Sequence, residues 1–113
     1  MTSETVVDQI SVSELKQAIE EGKKPVLLDV REAHELEICK LEYTIHIPLG
    51  DLRFRLDELD VYKDADLVVY CRSGRRSNLA AEFLKELGFE KVKNMTGGVL
   101  AWSDQIDSSF RKY

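Results

Sequence analysis

Residues 67–77 read LVVYCRSGRRS, and the change of character between Tyr70 and Cys71 decides the fold. Leu67, Val68, Val69 and Tyr70 form an unbroken apolar run, the pattern of a strand buried on both faces. Residues 71–77 then carry Arg72, Arg75, Arg76 and Gly74 with no acid among them. Beyond them Leu79, Ala80, Phe83, Leu84 and Leu87 recur at helical spacing, and Gly88 supplies the stop.

The same alternation of strand and helix signals extends in both directions. Ser11 and Glu14 have capping-box spacing ahead of a helix expected to run to about Glu21, with Leu15, Ala18 and Ile19 on one face and Gly22 closing it. After Pro25, Val26-Leu27-Leu28 reads as a strand buried on both faces, with Asp29-Val30-Arg31 at its end. Residues 33–37 look like one helical turn, and Ile45-His46-Ile47 is a short strand stopped by Pro48. Leu49, Leu52, Leu56 and Leu59 fall on one helical face, with Arg53, Arg55 and Asp57 facing elsewhere. Lys91-Val92-Lys93-Asn94 reads as the last strand, and Gly97-Gly98 opens a final helix containing Trp102. The pattern predicts an α/β domain on a largely parallel sheet, and 113 residues without repeat or linker fit one domain over residues 1–113.

Composition excludes several classes. A chain that is 43% hydrophobic and 33% charged has enough apolar residues to fold. No apolar run approaches a bilayer span, and the N-terminal MTSETVVDQI lacks a signal-peptide layout, so no membrane association and a cytoplasmic location are expected. A net charge of −5 argues against nucleic acid as a partner. There is no CxxC, HExxH, GxGxxG or P-loop, so neither a metal site nor a cofactor is indicated. Two cysteines, Cys39 and Cys71, in such a chain do not suggest a structural disulfide.

Against that acidic background the cationic stretch after Cys71 stands out. Ligands of open α/β sheets bind beyond the carboxyl ends of strands, which is where Cys71 falls. Loop N–H groups and a helix N-terminus favour an anion there, and three arginines add positive charge. Such surroundings favour the thiolate, the nucleophilic form of cysteine. Gly74 lets the backbone turn tightly around it. The bland alternative is a buried apolar cysteine, which the flanking Arg-Ser-Gly-Arg-Arg argues against. Cysteine-dependent phosphatases and arsenate reductases use C-x5-R; here the loop closes at Arg76 as C-x4-R, a smaller cradle suited to one extra sulfur atom.

On these residues the chain resembles the rhodanese family. LLDVR at 27–31, CRSGRRS at 71–77 and TGGVLAW at 96–102 are similar to its strand-end motif, active-site loop and Gly-Gly…Trp segment. The resemblance implies a three-layer α/β fold, with a mostly parallel sheet of about five strands and helices on both faces. It implies a sulfurtransferase carrying sulfur as a persulfide on Cys71, from thiosulfate or a donor persulfide to cyanide, a thiol or a sulfur-carrier protein. Where the family commonly has Gly-His-Ile-Pro-Gly-Ala, residues 39–44 read CKLEYT. The stretch EICKLEYTIHIPLGDL at 37–52 looks more like the rhodanese domain attached to adenylating enzymes of molybdopterin and thiocarboxylate pathways. That would make a cysteine desulfurase or a ubiquitin-like sulfur carrier a partner. A rhodanese-like docking module without catalysis is the competing function.

The family reading gives the loop its roles. N–H groups from Arg72, Ser73, Gly74, Arg75, Arg76 and Ser77 hold the persulfide, and Arg72 and Arg75 meet the anionic donor or the acceptor's carboxyl terminus. Arg76 either joins them or turns inward to pair with an acid. Asp29 and Arg31 read as structural support, Asp29 accepting backbone or arginine hydrogen bonds and Arg31 pairing with Glu35. Cys39 is either a passive residue packed behind the helical turn at 33–37 or a partner of Cys71 that receives its sulfur or forms a disulfide with it. His34 and His46 have no partner at readable spacing. Trp102 is core or pocket wall, and Arg53 and Arg55 are a solvated face or a docking surface for an acidic carrier.

Overall fold

The computed structural model describes residues 5–113. In chain order its elements are β1 (Asp8–Ile10), α1 (Val12–Glu20), β2 (Val26–Asp29), α2 (Ala33–Leu36), β3 (Thr44–His46), two 3-10 helices (Leu49–Phe54 and Leu56–Tyr62), β4 (Leu67–Tyr70), α3 (Arg75–Glu86), β5 (Val92–Met95) and α4 (Gly98–Gln105). The strands form one sheet in the order β1-β5-β4-β2-β3, with every pairing parallel.

Successive strand side chains point to opposite faces, so an all-apolar strand must feed two cores. β4 does this. Leu67 and Val69 join Leu28, Ala80, Ala81 and Leu84 in one cluster, while Val68 and Tyr70 join Leu27, Val12, Leu15, Val99 and Trp102 in the other. Helix α3 therefore covers one face and α1 and α4 cover the other, giving the three-layer α/β arrangement. Cys71 packs on the α3 side. The capping box of α1 forms as its spacing predicts, with the Glu14 N–H donating to Ser11 Oγ at 3.0 Å and the Ser11 N–H to Glu14 Oε1 at 2.9 Å.

Several expected details change. The segment with Leu49, Leu52, Leu56 and Leu59 is two 3-10 helices broken at Arg55, not one α-helical face. Residues i and i+3 eclipse in a 3-10 helix, so the pairs Leu49/Leu52 and Leu56/Leu59 still point inward. In α1 the buried face is Val12 and Leu15; Ile19 is exposed, lining a surface groove with Leu27 and Tyr43. In α3 Ala80, Ala81 and Leu84 are buried, whereas Leu79 and, just past the helix end, Leu87 are exposed. Strand β3 ends at His46, and Ile47 is instead a buried core residue whose N–H donates to the Asp29 carbonyl at 3.1 Å. The last strand runs one residue later than expected, to Met95. Strand β1 has no counterpart in the sequence reading.

Candidate active site

Cys71 follows β4 directly and is 1% exposed. Gly74 precedes α3 at φ +101°, a backbone region that side chains rarely enter, and this turn folds the loop back over the sulfur. Cys71 Sγ accepts from the Gly74 N–H at 3.1 Å and the Ser77 N–H at 3.4 Å, with Ser77 Oγ at 3.3 Å. Burial pushes the thiol up, but hydrogen bonds to the sulfur, from the Ser77 hydroxyl when its proton points there and from the N–H groups of Ser77, Gly74 and Ser73, outweigh it, so the thiol titrates below its ordinary value. A buried cysteine ringed by donors is a thiolate site rather than an inert core position.

The Gly97-Gly98 turn fastens this loop from behind. The N–H groups of Val99 and Leu100, in the first turn of α4, donate to the carbonyls of Cys71 and Arg72 at 3.0 and 3.1 Å. Gly98 sits so close that a Cβ would lie 2.3 Å from the Arg72 carbonyl oxygen. From β5, buried Asn94 meets Ser77 Oγ through its Oδ1 at 2.5 Å. Local sequence marks Asn94 as part of a strand and Gly98 as a helix start, and carries no signal that brings either to the site. The register that brings β5 and α4 against the loop is a tertiary fact.

The three loop arginines have different fates. Arg76 turns inward and pairs with Glu35 of α2 at 2.7 and 2.8 Å, which holds the Glu35 carboxyl down at about 2. Arg72 is exposed; its guanidinium donates to the main-chain oxygen of Tyr113 and stacks 5.2 Å from that ring. Arg75 is exposed and has no side-chain partner among the described residues.

Asp29 and Arg31 are both fully buried and joined at 2.7 to 3.1 Å. Arg31 also donates to the Cys39 carbonyl at 2.6 Å and Tyr113 Oη at 3.0 Å. Burial works against its charge, yet Asp29 and Tyr113 more than offset that, so its affinity for the proton rises. The expected pairing of Arg31 with the Glu35 carboxylate is corrected: Arg31 reaches only the Glu35 carbonyl, at 3.4 Å, because the Glu35 carboxylate is taken by Arg76 and Tyr113 Oη. Tyr113, absent from the sequence reading, thus joins both clusters.

The remaining candidates are peripheral to the loop. Cys39 is a free thiol beside Arg31 and packs against the core on the α1 side. His46 Nε2 lies 2.6 Å from the Arg31 carbonyl oxygen. Trp102 is core. Arg55 pairs with Glu58 at 2.6 Å, and Arg53 stacks on exposed Phe54. Among the described residues no group of acids, histidines and cysteines has metal-binding geometry, and no helix is long and apolar enough to cross a membrane.

A family model described as the rhodanese-like domain matches residues 11–105. The putative sulfur carrier protein YrkF of Bacillus subtilis is 35% identical over 89% of this chain, which spans 54% of that protein. The adenylyltransferase and sulfurtransferase uba4 of Ogataea parapolymorpha is 38% identical over 94% of this chain, which spans only 26% of it. A crystal structure of a rhodanese-related protein from Thermoplasma volcanium superposes with a TM-score of 0.78 at 31% identity, covering 88% of this chain and 93% of that one.

Proposed function

The chain belongs to the rhodanese-like domain family, and from that membership and the donor ring around Cys71 we propose that it is a sulfurtransferase carrying sulfur as a Cys71 persulfide. In this reading residues 1–113 act as one domain. The observation that carries it is the convergence of the Gly74 and Ser77 N–H groups on one buried sulfur, at 3.1 and 3.4 Å.

The chemistry runs in two half-reactions. The Cys71 thiolate attacks the outer sulfur of thiosulfate; the new S–S bond forms as the old one breaks, and sulfite leaves with the electron pair. A donor persulfide would react alike and leave as its thiolate. The outer sulfur of the Cys71 persulfide is anionic and takes the loop N–H groups of Arg72, Ser73, Gly74, Arg75, Arg76 and Ser77. Cyanide, a thiol or a cysteine thiolate of a sulfur-carrier protein then attacks that sulfur; its bond to the sulfur forms as the S–S bond breaks, and Cys71 leaves as thiolate. Arg72 and Arg75 attract the anionic donor, while Asp29 and Arg31 support the adjoining strand end. Arg76 contributes backbone and fold rather than a free cation, since Glu35 neutralises it. A phosphatase needs a loop arginine for its phosphate, and the inward turn of Arg76 disfavours that reading. The likeness to YrkF and uba4 supports sulfur-carrier and adenylating-enzyme pathways as its setting.

Intact mass measurement after incubation with thiosulfate, or with a cysteine desulfurase and cysteine, tests this reading. The expected result is a gain of one sulfur atom, lost on adding cyanide and absent in Cys71→Ser. A folded protein with a free Cys71 thiol that gains no sulfur from any donor would instead be a docking module.

A further inference from the structure

A line of side chains leads from Cys71 to the surface of α3, and its hydrogen bonds have a direction. Gln9 on β1 and Asn94 on β5 are register partners, so their side chains share the sheet face covered by α3. Asn94 Nδ2 donates to Gln9 Oε1 at 2.9 Å. Gln9 Nε2 donates to the Val7 carbonyl at 3.2 Å and to Asn78 Oδ1 at 3.0 Å, and Asn78 Nδ2 donates to Glu82 Oε1 at 3.2 Å. A carbonyl and a carboxylate can only accept, so Val7 and Glu82 fix how the Gln9 and Asn78 amides are turned. Asn94 must then present Oδ1 to Ser77.

The Ser77 hydroxyl has one proton and two claimants, Asn94 Oδ1 at 2.5 Å and Cys71 Sγ at 3.3 Å. With Asn94 Oδ1 facing it, the proton goes to Asn94 and the Ser77 lone pairs face the sulfur. That arrangement suits a thiol, which donates its own proton to Ser77. When Cys71 loses that proton to solvent, the sulfur requires a donor, and Ser77 supplies one only if the Asn94 amide turns its Nδ2 toward Ser77.

We propose that Gln9, anchored by the Val7 carbonyl and through Asn78 by Glu82, is a positioning residue for Cys71: it holds the Asn94 amide in the orientation that turns the Ser77 hydroxyl away from the sulfur. The protein thus restrains its own nucleophile, and a contact that draws Gln9 off Asn94 at the β1 edge releases it. The charged groups around the line are Arg76, Glu82, Lys85 and Glu86 on α3 and Glu35 on α2, while Asp8 and Lys93 lie on the opposite strand faces. Arg76 is neutralised by Glu35. The inference rests on Cys71 as the reactive thiol but not on any sulfur donor.

The test reads that thiol directly, as the pH dependence of iodoacetamide alkylation at the peptide carrying Cys71. Gln9→Ala, a neutral change at an exposed position, frees the Asn94 amide and is expected to lower the midpoint by about half a pH unit or more, the scale of one added hydrogen bond to a charged sulfur. Gln9→Glu restores an acceptor and is expected to keep the midpoint at or above that of the native protein. In a Ser77→Ala background Gln9→Ala is expected to do nothing. An unmoved midpoint in Gln9→Ala, or an equal shift without Ser77, overturns the proposal. The Asn94 side-chain amide resonances give a second reading that does not need Ser77→Ala. They are expected to move with the Cys71 titration in the native protein, and resonances indifferent to it overturn the proposal as well. Failure of sulfur loading leaves all of these readings intact and counts only against the transfer reaction.

Discussion

Arg76 and Glu35 form a two-pronged pair, 2.7 and 2.8 Å, that ties the first turn of α3 to α2. The pair spends one of the three loop charges on the fold and leaves Arg72 and Arg75 facing outward. Glu35 is buried and titrates at about 2, well below the ordinary 4.5, chiefly because of Arg76. A carboxyl whose pKa is depressed on folding stabilises the protein above its unfolded value and loses that contribution as pH falls through the folded one.

Glu35→Gln is therefore expected to destabilise the protein at pH 7 by about 2 kcal/mol, discounted because Arg76 is partly open to solvent. The difference from the native protein should shrink as pH falls from about 4.5 toward 2. Urea melts at a series of pH values check this, and a constant difference across that window would show that the ion pair is not its source.

The second glycine of the Gly97-Gly98 turn should be intolerant of any side chain. Gly98 has φ +59°, and a Cβ there would meet the Arg72 carbonyl at 2.3 Å, a backbone atom that cannot swing aside. Gly98→Ala is expected to cost about 3 kcal/mol or more and to reduce sulfur loading of Cys71 more than tenfold, because the loop must move. Thermal melts and loading rates of the same preparation separate the two effects.

Much of this was legible in the chain, and the failures have physical causes. The run LVVY, the capping box of Ser11 and Glu14, and the basic loop all carry local signals, and the structure has β4, α1 and a donor ring in those places. Strand β1 escaped because Asp8-Gln9-Ile10 is a three-residue edge strand with two exposed side chains, so it has no apolar pattern to read. Leucine spacing alone does not distinguish a 3-10 from an α-helix over four residues, so residues 49–62 read as one helical face although they fold as two 3-10 helices. The partners of Arg31 and Arg76 depend on which acid the fold delivers. Glu35 is four residues from Arg31, yet its carboxylate reaches Arg76, forty-one residues away. Asn94 and Gln9 meet only through the β1–β5 register, which no short motif encodes.

Asp29 and Arg31 should behave as one buried unit. Both are fully buried, and Asp29→Asn leaves the guanidinium charge without its counter-ion. The expected cost is about 3 kcal/mol or more, measured by urea melts at pH 7. Because Arg31 also holds the Cys39 carbonyl and Tyr113 Oη, the loss should be accompanied by faster alkylation of Cys39. Unchanged Cys39 reactivity would mean that Arg31 does not order that segment.

The two outward arginines should differ in how they serve an anionic donor. Arg75 has no side-chain partner among the described residues, whereas Arg72 already donates to the Tyr113 main-chain oxygen and must leave it to meet a ligand. Arg75→Ala is accordingly expected to raise KM for thiosulfate about twofold to fivefold, the worth of one exposed charge contact, with little change in kcat. Arg72→Ala should raise KM less, because the native side chain gives up one oxygen to gain another. Salt separates this from a structural effect: the penalty for losing an exposed charge shrinks as ionic strength rises toward 1 M, where the Debye length is about 3 Å. Steady-state kinetics with thiosulfate at low and high salt decide it, and equal KM changes for both variants at every ionic strength would count against an unequal role.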